Sequence, residues 1–242
     1  MRRVLRHIDA HMADDLSVET LAGVAAFSPF HFHRQFSALF GIGVHRYVQL
    51  ARLKPASYRL AFRQDPVTDI AMDAGYEGPE SFSRAFKQRF GQTPSDFRAE
   101  PDWDPWHKAY AATDFARSFE MIPPRNEDVR LVQFPETPVW ELVHCGDPNR
   151  IGDSIRRFID WRKTNKLTPQ RAATFNILYS PPDAAEADFR MGICCAADAP
   201  VSHNDPALKA TIIPGGRCAV LRHTGGDVVL QAAGQWLYGE WL

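Results

Sequence analysis

Long apolar runs are missing from this 242-residue chain; no stretch approaches the roughly 20 consecutive apolar residues that a membrane-spanning helix needs. Net charge is missing as well. The 28 Lys+Arg against 29 Asp+Glu speak against a polyelectrolyte that holds nucleic acid only by neutralising phosphates. Cysteine is scarce: Cys145, Cys194, Cys195 and Cys218 form no Cys-x-x-Cys pair, and no histidine follows at zinc-finger spacing. They read as buried reduced thiols of a cytoplasmic protein, with no metal and no cofactor. The opening Met1-Arg2-Arg3-Val4-Leu5-Arg6-His7 lacks the apolar stretch of a secretory signal. No nucleophile–base pair and no paired carboxylates stand out, so no catalytic residue is assigned and the chain is not read as an enzyme.

With 45% hydrophobic residues the chain has enough apolar material for one large folded domain or two small ones. Its two parts differ in charge. Residues 1–100 hold 13 Lys+Arg, 11 Asp+Glu and five of the nine histidines, whereas the remainder holds 15 and 18. A slightly basic first part beside an acidic second part suits a nucleic-acid module followed by something else.

The first hundred residues contain an internal repeat. Phe32-His33-Arg34-Gln35-Phe36-Ser37-Ala38-Leu39-Phe40-Gly41 and Phe82-Ser83-Arg84-Ala85-Phe86-Lys87-Gln88-Arg89-Phe90-Gly91 share F-x-R-x-F-x-x-x-F-G at an offset of 50. Upstream, Val18, Leu21, Ala22, Ala25, Ala26 and Phe27 recur as Val67, Ile70, Ala71, Ala74, Gly75 and Tyr76 at an offset of 49, and downstream Tyr47 recurs as Phe97. A fixed period marks duplication of one supersecondary unit. Each copy reads as two short helices around a tight turn. Ser28 is placed as N-cap and Pro29 as first helical residue of one second helix; Pro79 opens the other. Phe32, Phe36, Leu39 and Phe40 form one inward stripe, and Phe82, Phe86 and Phe90 the other.

The opposite faces carry the chemistry. They present Phe30, His33, Arg34 and Ser37 in the first copy and Glu80, Ser81, Arg84 and Lys87 in the second. An arginine at the same place in both copies suits direct readout, since a guanidinium pairs with guanine O6 and N7 for about 1–3 kcal/mol of discrimination.

These residues resemble the DNA-binding domain of the AraC/XylS transcription regulators. The densest likeness is Asp69-Ile70-Ala71-Met72-Asp73-Ala74-Gly75-Tyr76, Ser81-Phe82-Ser83-Arg84-Ala85-Phe86-Lys87 and Phe90-Gly91-Gln92-Thr93-Pro94-Ser95, within a match over about residues 4–98. The resemblance implies an all-α double helix-turn-helix in residues 1–100, with Phe30, His33 and Arg34, and Glu80, Ser81 and Arg84, facing two successive major-groove segments of double-stranded DNA. One duplex turn, about 34 Å, separates such segments. Pro55 departs from the family in the joining helix, 44–62, and is expected to kink it.

Residues 101–128, with Pro101, Pro105, Pro123 and Pro124 among charges and scattered Trp and Tyr, read as a linker. From Val129 the texture becomes β-rich and a second duplication begins. Pro135, Val139, Leu142, His144 and Gly146 recur as Pro214, Cys218, Leu221, His223 and Gly225 at an offset of 79. Helices follow over 151–163 and 228–241, and a hairpin over 174–179 and 188–194 around Pro181-Pro182 completes the first repeat. His144 and His223 read as shared structure, not as a metal pair. The expected fold is α+β, two β-α-β-β repeats over 129–242, of which the second stops at Leu242 without its hairpin; the natural protein is expected to be longer, or the sheet incomplete.

This part resembles the GyrI-like effector-binding domain, and its place after an AraC-type reader is that of the Rob-like regulators. The resemblance implies a small organic, often cationic, effector held among aromatics, for which Trp140, Phe175, Tyr179, Trp236, Tyr238 and Trp241 are the candidates. A glutamate on the family's final strand has no counterpart, since Glu240 belongs to the late helix. The leading function is a sequence-specific transcription regulator with a small-molecule-sensing C-terminal domain and RNA polymerase as a further partner. The alternatives are a GyrI-like sequestering protein or hydrolase, and a non-specific architectural DNA binder.

Overall fold

The computed structural model describes residues 1–118, 124–181, 184–196, 205–223 and 227–242. In chain order its elements are α1 (Arg2–Ala10), α2 (Val18–Ala25), α3 (Pro29–Phe40), α4 (Val44–Phe62), α5 (Val67–Asp73), α6 (Pro79–Phe90), α7 (Pro94–Ala99), α8 (Trp103–Ser118), β1 (Val129–Phe134), β2 (Thr137–Cys145), α9 (Ile151–Thr164), β3 (Thr174–Leu178), β4 (Arg190–Ala196), β5 (Leu208–Ile213), β6 (Gly216–Leu221) and α10 (Asp227–Trp236), which continues as a π-helical turn, Leu237–Trp241. The chain divides into two compact units, 1–124 with 223–242, and 125–222.

In the first unit the duplicated sequence forms two helix pairs, α2–α3 and α5–α6, joined by α4. Ser17 and Ser28 accept the backbone N–H groups of Thr20 and His31 and so start α2 and α3. The turn between the helices needs a left-handed residue in each copy: Gly75 at φ +73° in the second, and Ala26 at φ +58° in the first. Phe32, Phe36, Phe40, Phe82, Phe86 and Phe90 are buried, each ring contributing roughly 1.5–3 kcal/mol. Leu39 departs from the inward stripe and is partly exposed. Tyr47 packs on Phe36, and its repeat partner Phe97 packs on Phe86 at nearly the same centroid distance, 5.4 and 5.3 Å. Helix α4 runs unbroken through the exposed Pro55, while Ser57 Oγ bonds the carbonyls of Leu53 and Lys54.

The segment read as a linker holds a sixteen-residue helix instead, α8. Its Trp103, Trp106, Ala109 and Tyr110 belong to the core of the first unit, and Tyr110 donates to the Leu50 carbonyl. Pro105 lies in the first turn of α8, where proline costs no hydrogen bond. Pro123 lies outside the described residues, as do Pro182 and Gly225. Helix α10 lies against α8.

In the second unit every strand pair is antiparallel. One sheet has the order β3-β4-β2-β5 and the other pairs β1 with β6. Strands β1 and β5 are themselves repeat equivalents, at the offset of 79 that relates β2 to β6. Each repeat therefore begins one strand earlier than Pro135 and Pro214 suggest, and the two first strands are exchanged. Strand β1 pairs with the central strand of the second repeat (Val129↔Leu221), and β5 with that of the first (Thr137↔Ile213). The equivalent turns before β2 and β6 meet so closely that a Cβ on Gly215 would lie 2.7 Å from the Glu136 nitrogen. Helix α9 covers one face of the larger sheet through Phe158 and Trp161 over Leu142, Ile193, Cys195 and Leu208.

Candidate functional site

The faces of α3 and α6 that carry Arg34 and Arg84 are both turned to the surface. Phe30 is 72% exposed, and His33, Arg34, Glu80, Ser81, Arg84 and Lys87 are all on the surface. Arg34 and Arg84 have no hydrogen-bond or ion-pair partner among the described residues, so both guanidinium groups keep their donors for a ligand. Ser81 donates to the Gly78 carbonyl at 2.9 Å, which commits its hydrogen to the start of α6 and leaves its oxygen as an acceptor. Ser37 is not outward; its Oγ is buried without a partner. His33 Nε2 leans on the entry to α4, 3.7 Å from where a Cβ on Gly43 would stand.

The larger sheet carries a second cluster on its face away from α9. Because side chains alternate along a strand, Val139, Glu141 and Val143 share this face of β2, while Trp140, Leu142 and His144 point to α9. Cross-strand register sets Cys194 and Lys209 beside Glu141, with Phe175 beyond Cys194. Glu141 is buried, 6% exposed, and its carboxylate accepts the Tyr179 hydroxyl at 2.6 Å. That hydrogen bond first, then burial, pushes the Tyr179 phenol up to about 12. Burial, followed by the Glu141 charge, pushes the Cys194 thiol up to about 12, so it stays protonated and unreactive. Gly192 makes room for the carboxylate: a Cβ there would overlap Glu141 Oε1 and crowd the Tyr179 ring.

Of the six aromatics proposed from sequence, Tyr179 touches this carboxylate and Phe175 shares its face of the sheet two strands away. Trp140 is turned to the other face, where its ring stands 5.9 Å from Trp161. Trp236, Tyr238 and Trp241 belong to the first unit, with Tyr238 on the surface. Glu141 itself was missed. The available signal was a lone charge on the inward side of an otherwise apolar strand. His144 is structural: Nδ1 meets Ser154 Oγ at 2.8 Å and Nε2 the Asp147 carbonyl at 3.0 Å, tying the end of β2 to α9. Cys194 and Cys195 are buried on opposite faces, whereas Cys145 is exposed. Among the described residues no three His, Cys, Asp or Glu side chains converge on a metal position, and no helix is long and apolar enough to cross a membrane.

Comparison with known proteins also divides the chain in two, but places 223–242 with the second part. Residues 21–100 match the family model of a helix-turn-helix domain, and 127–242 that of the GyrI-like small molecule binding domain. The regulatory protein SoxS of Salmonella typhimurium is 32% identical over 98 residues, which is 40% of this chain and 92% of SoxS. The chain belongs to the AraC/XylS family. This AraC-family chain is also 28% identical over 145 residues to the Right origin-binding protein of Escherichia coli, 60% of this chain and 49% of that protein, so it spans about half the length of that relative. Among solved structures, the C-terminal domain of AraT, a response regulator from Geobacillus stearothermophilus, is 29% identical and covers 40% of this chain and 82% of its own, with a TM-score of 0.39.

Proposed function

We propose that this protein is a sequence-specific transcription regulator in which α3 and α6 read two successive major-groove segments, and that its 129–242 domain senses a small organic cation. The observation that carries the first half is the pair Arg34 and Arg84, one repeat apart, both exposed and both unpartnered. Phe30 and His33 extend the first reading head; Glu80, Ser81 and Lys87 extend the second. The cationic effector is supported by the buried Glu141 with Tyr179 beside its carboxylate and Phe175 on the same sheet face two strands away, since aromatic faces and a carboxylate together attract positive charge. The role is regulatory and non-enzymatic, and it acts on RNA polymerase from the bound site.

Selection of the full chain on a random-sequence duplex pool, repeated across salt, tests the DNA half. Wild-type protein should enrich one motif, while Arg34→Ala and Arg84→Ala each relax it at one or two base pairs, a loss of about 1–3 kcal/mol per contact. Unchanged preference in both variants would overturn direct readout. Thermal shift against a panel of lipophilic organic cations tests the effector half. A hit should raise the melting temperature of the wild type and not that of Glu141→Gln, and equal shifts in both would remove Glu141 from the site.

A further inference from the structure

A cleft of about 330 Å³ lies between the two helix-turn-helix units, lined by Asp14, Ser17, His45, Gln49, Arg52 and Tyr76 among others. His45, Gln49 and Arg52 form one stripe along α4. His33 of the first reading helix abuts the entry to that helix, and Tyr76 leads into the second reading helix. The stripe therefore runs between the two reading heads.

Its charges are unevenly matched. Asp15 is committed: its carboxylate accepts from Ser17 and from Thr20 at the start of α2. Arg52 is committed in part, with Nε on the Met12 carbonyl and Nη2 on the Asp14 carbonyl, each at 2.8 Å. Arg46 and Arg89, which do not line the cleft but adjoin its Gln49, are different. Arg46 is on the surface of α4, one turn before Gln49, and has no carboxylate partner among the described residues. Arg89 donates from Nη2 to Gln49 Oε1, and its Nε is buried with no acceptor at all. Burial, and then the charge of Arg46, hold the Arg89 guanidinium below its ordinary value, as expected of two like charges brought together without a counter-ion.

We infer that Arg46 and Arg89, presented by α4 and α6 across Gln49, clamp a DNA backbone phosphate between the two groove segments. The inference rests on DNA reading by α3 and α6. A phosphodiester supplies the missing negative charge and takes the forked donors of a guanidinium. Such a contact carries no sequence information; it fixes the register of one reader relative to the other.

The test uses the full chain and a duplex taken from the selection above, with single uncharged methylphosphonate linkages stepped through the segment between the two reading positions. Wild-type protein should lose about tenfold in affinity, roughly 1.4 kcal/mol, at one linkage or two adjacent ones. Arg46→Ala should lose a similar factor on unmodified DNA, lose nothing further at that linkage, and lower the log–log salt slope by about 1 without changing the preferred sequence. Arg46→Lys should keep the slope. Arg46 is exposed, so these variants fold, which a melt confirms. If the wild type shows no sequence preference, DNA reading itself fails. If preference is intact but Arg46→Ala and every neutral linkage act independently, the clamp is wrong. Stabilisation of the wild type by inorganic phosphate, abolished in Arg46→Ala without coupling on DNA, assigns the site to a free anion and equally overturns it.

Discussion

At Ala26 the chain does what an L-residue with a side chain avoids. Its φ of +58° lies in the left-handed region, where the repeat partner is Gly75. Left-handed backbone costs a residue bearing a Cβ roughly 1–2 kcal/mol. Ala26→Gly should therefore raise the stability of the first unit by about 1 kcal/mol, read as an upward shift of the midpoint in urea. The reverse change is costlier, because a Cβ on Gly75 would lie 2.8 Å from the Met12 carbonyl oxygen as well as straining the backbone. Equal stability of Ala26→Gly and wild type would show that the turn is not strained. Residue identity alone reveals half of this: the Ala/Gly alignment marks the turn, but only the dihedral says which copy is strained. Glu141 lies at the same scale, and its acidity in an apolar strand is visible in sequence. Its partner Tyr179, 38 positions away, depends on strand register and is not.

Two helix starts hold carboxylates whose ionisation the fold favours. Asp15 accepts from Thr20 and Ser17 before α2, and Asp96 accepts from the Thr93 hydroxyl and backbone in the capping box of α7; these hydrogen bonds hold both carboxyls below the usual value. A folded value below the unfolded one means that the stabilisation is complete above the ordinary carboxylate range and is lost as pH falls through the depressed values. The double variant Asp15→Asn, Asp96→Asn should melt below the wild type at neutral pH, and the difference should close below about pH 3. Circular-dichroism melts across that range check it; a pH-independent difference would mean that the charge plays no part. Helices α2 to α6 were legible because their aromatics repeat at helical spacing and their caps are Ser, Pro and Gly. Helix α8 has the same kind of signal, Trp103, Trp106 and Tyr110 at spacings of three and four, but Pro101 and Pro105 disguise it as a linker. Proline in the first turn of a helix is no breaker.

Across the whole second unit, stability is shared between segments far apart in sequence. Among the described residues β1 has no partner in its own repeat; its hydrogen bonds go to β6, and those of β5 go to β2. Amide protection in 129–134 and 216–221 should therefore rise and fall together in native-state hydrogen exchange under increasing denaturant. Loss of β1 protection while β6 keeps its own would contradict a shared opening. The duplication at an offset of 79 was plain in the sequence, yet the exchange was not, since equivalent strands of equal length offer two pairings and only tertiary packing selects one. The same selection turned Trp140 towards α9 and left Tyr179 beside Glu141.

The exchanged strands also bear on how the domain is held together. A half of this domain made on its own would lack the strand partners seen here, and it would regain them by folding back on itself or by meeting a second half. In one chain a tether replaces an encounter in dilute solution, at an effective concentration on the order of millimolar.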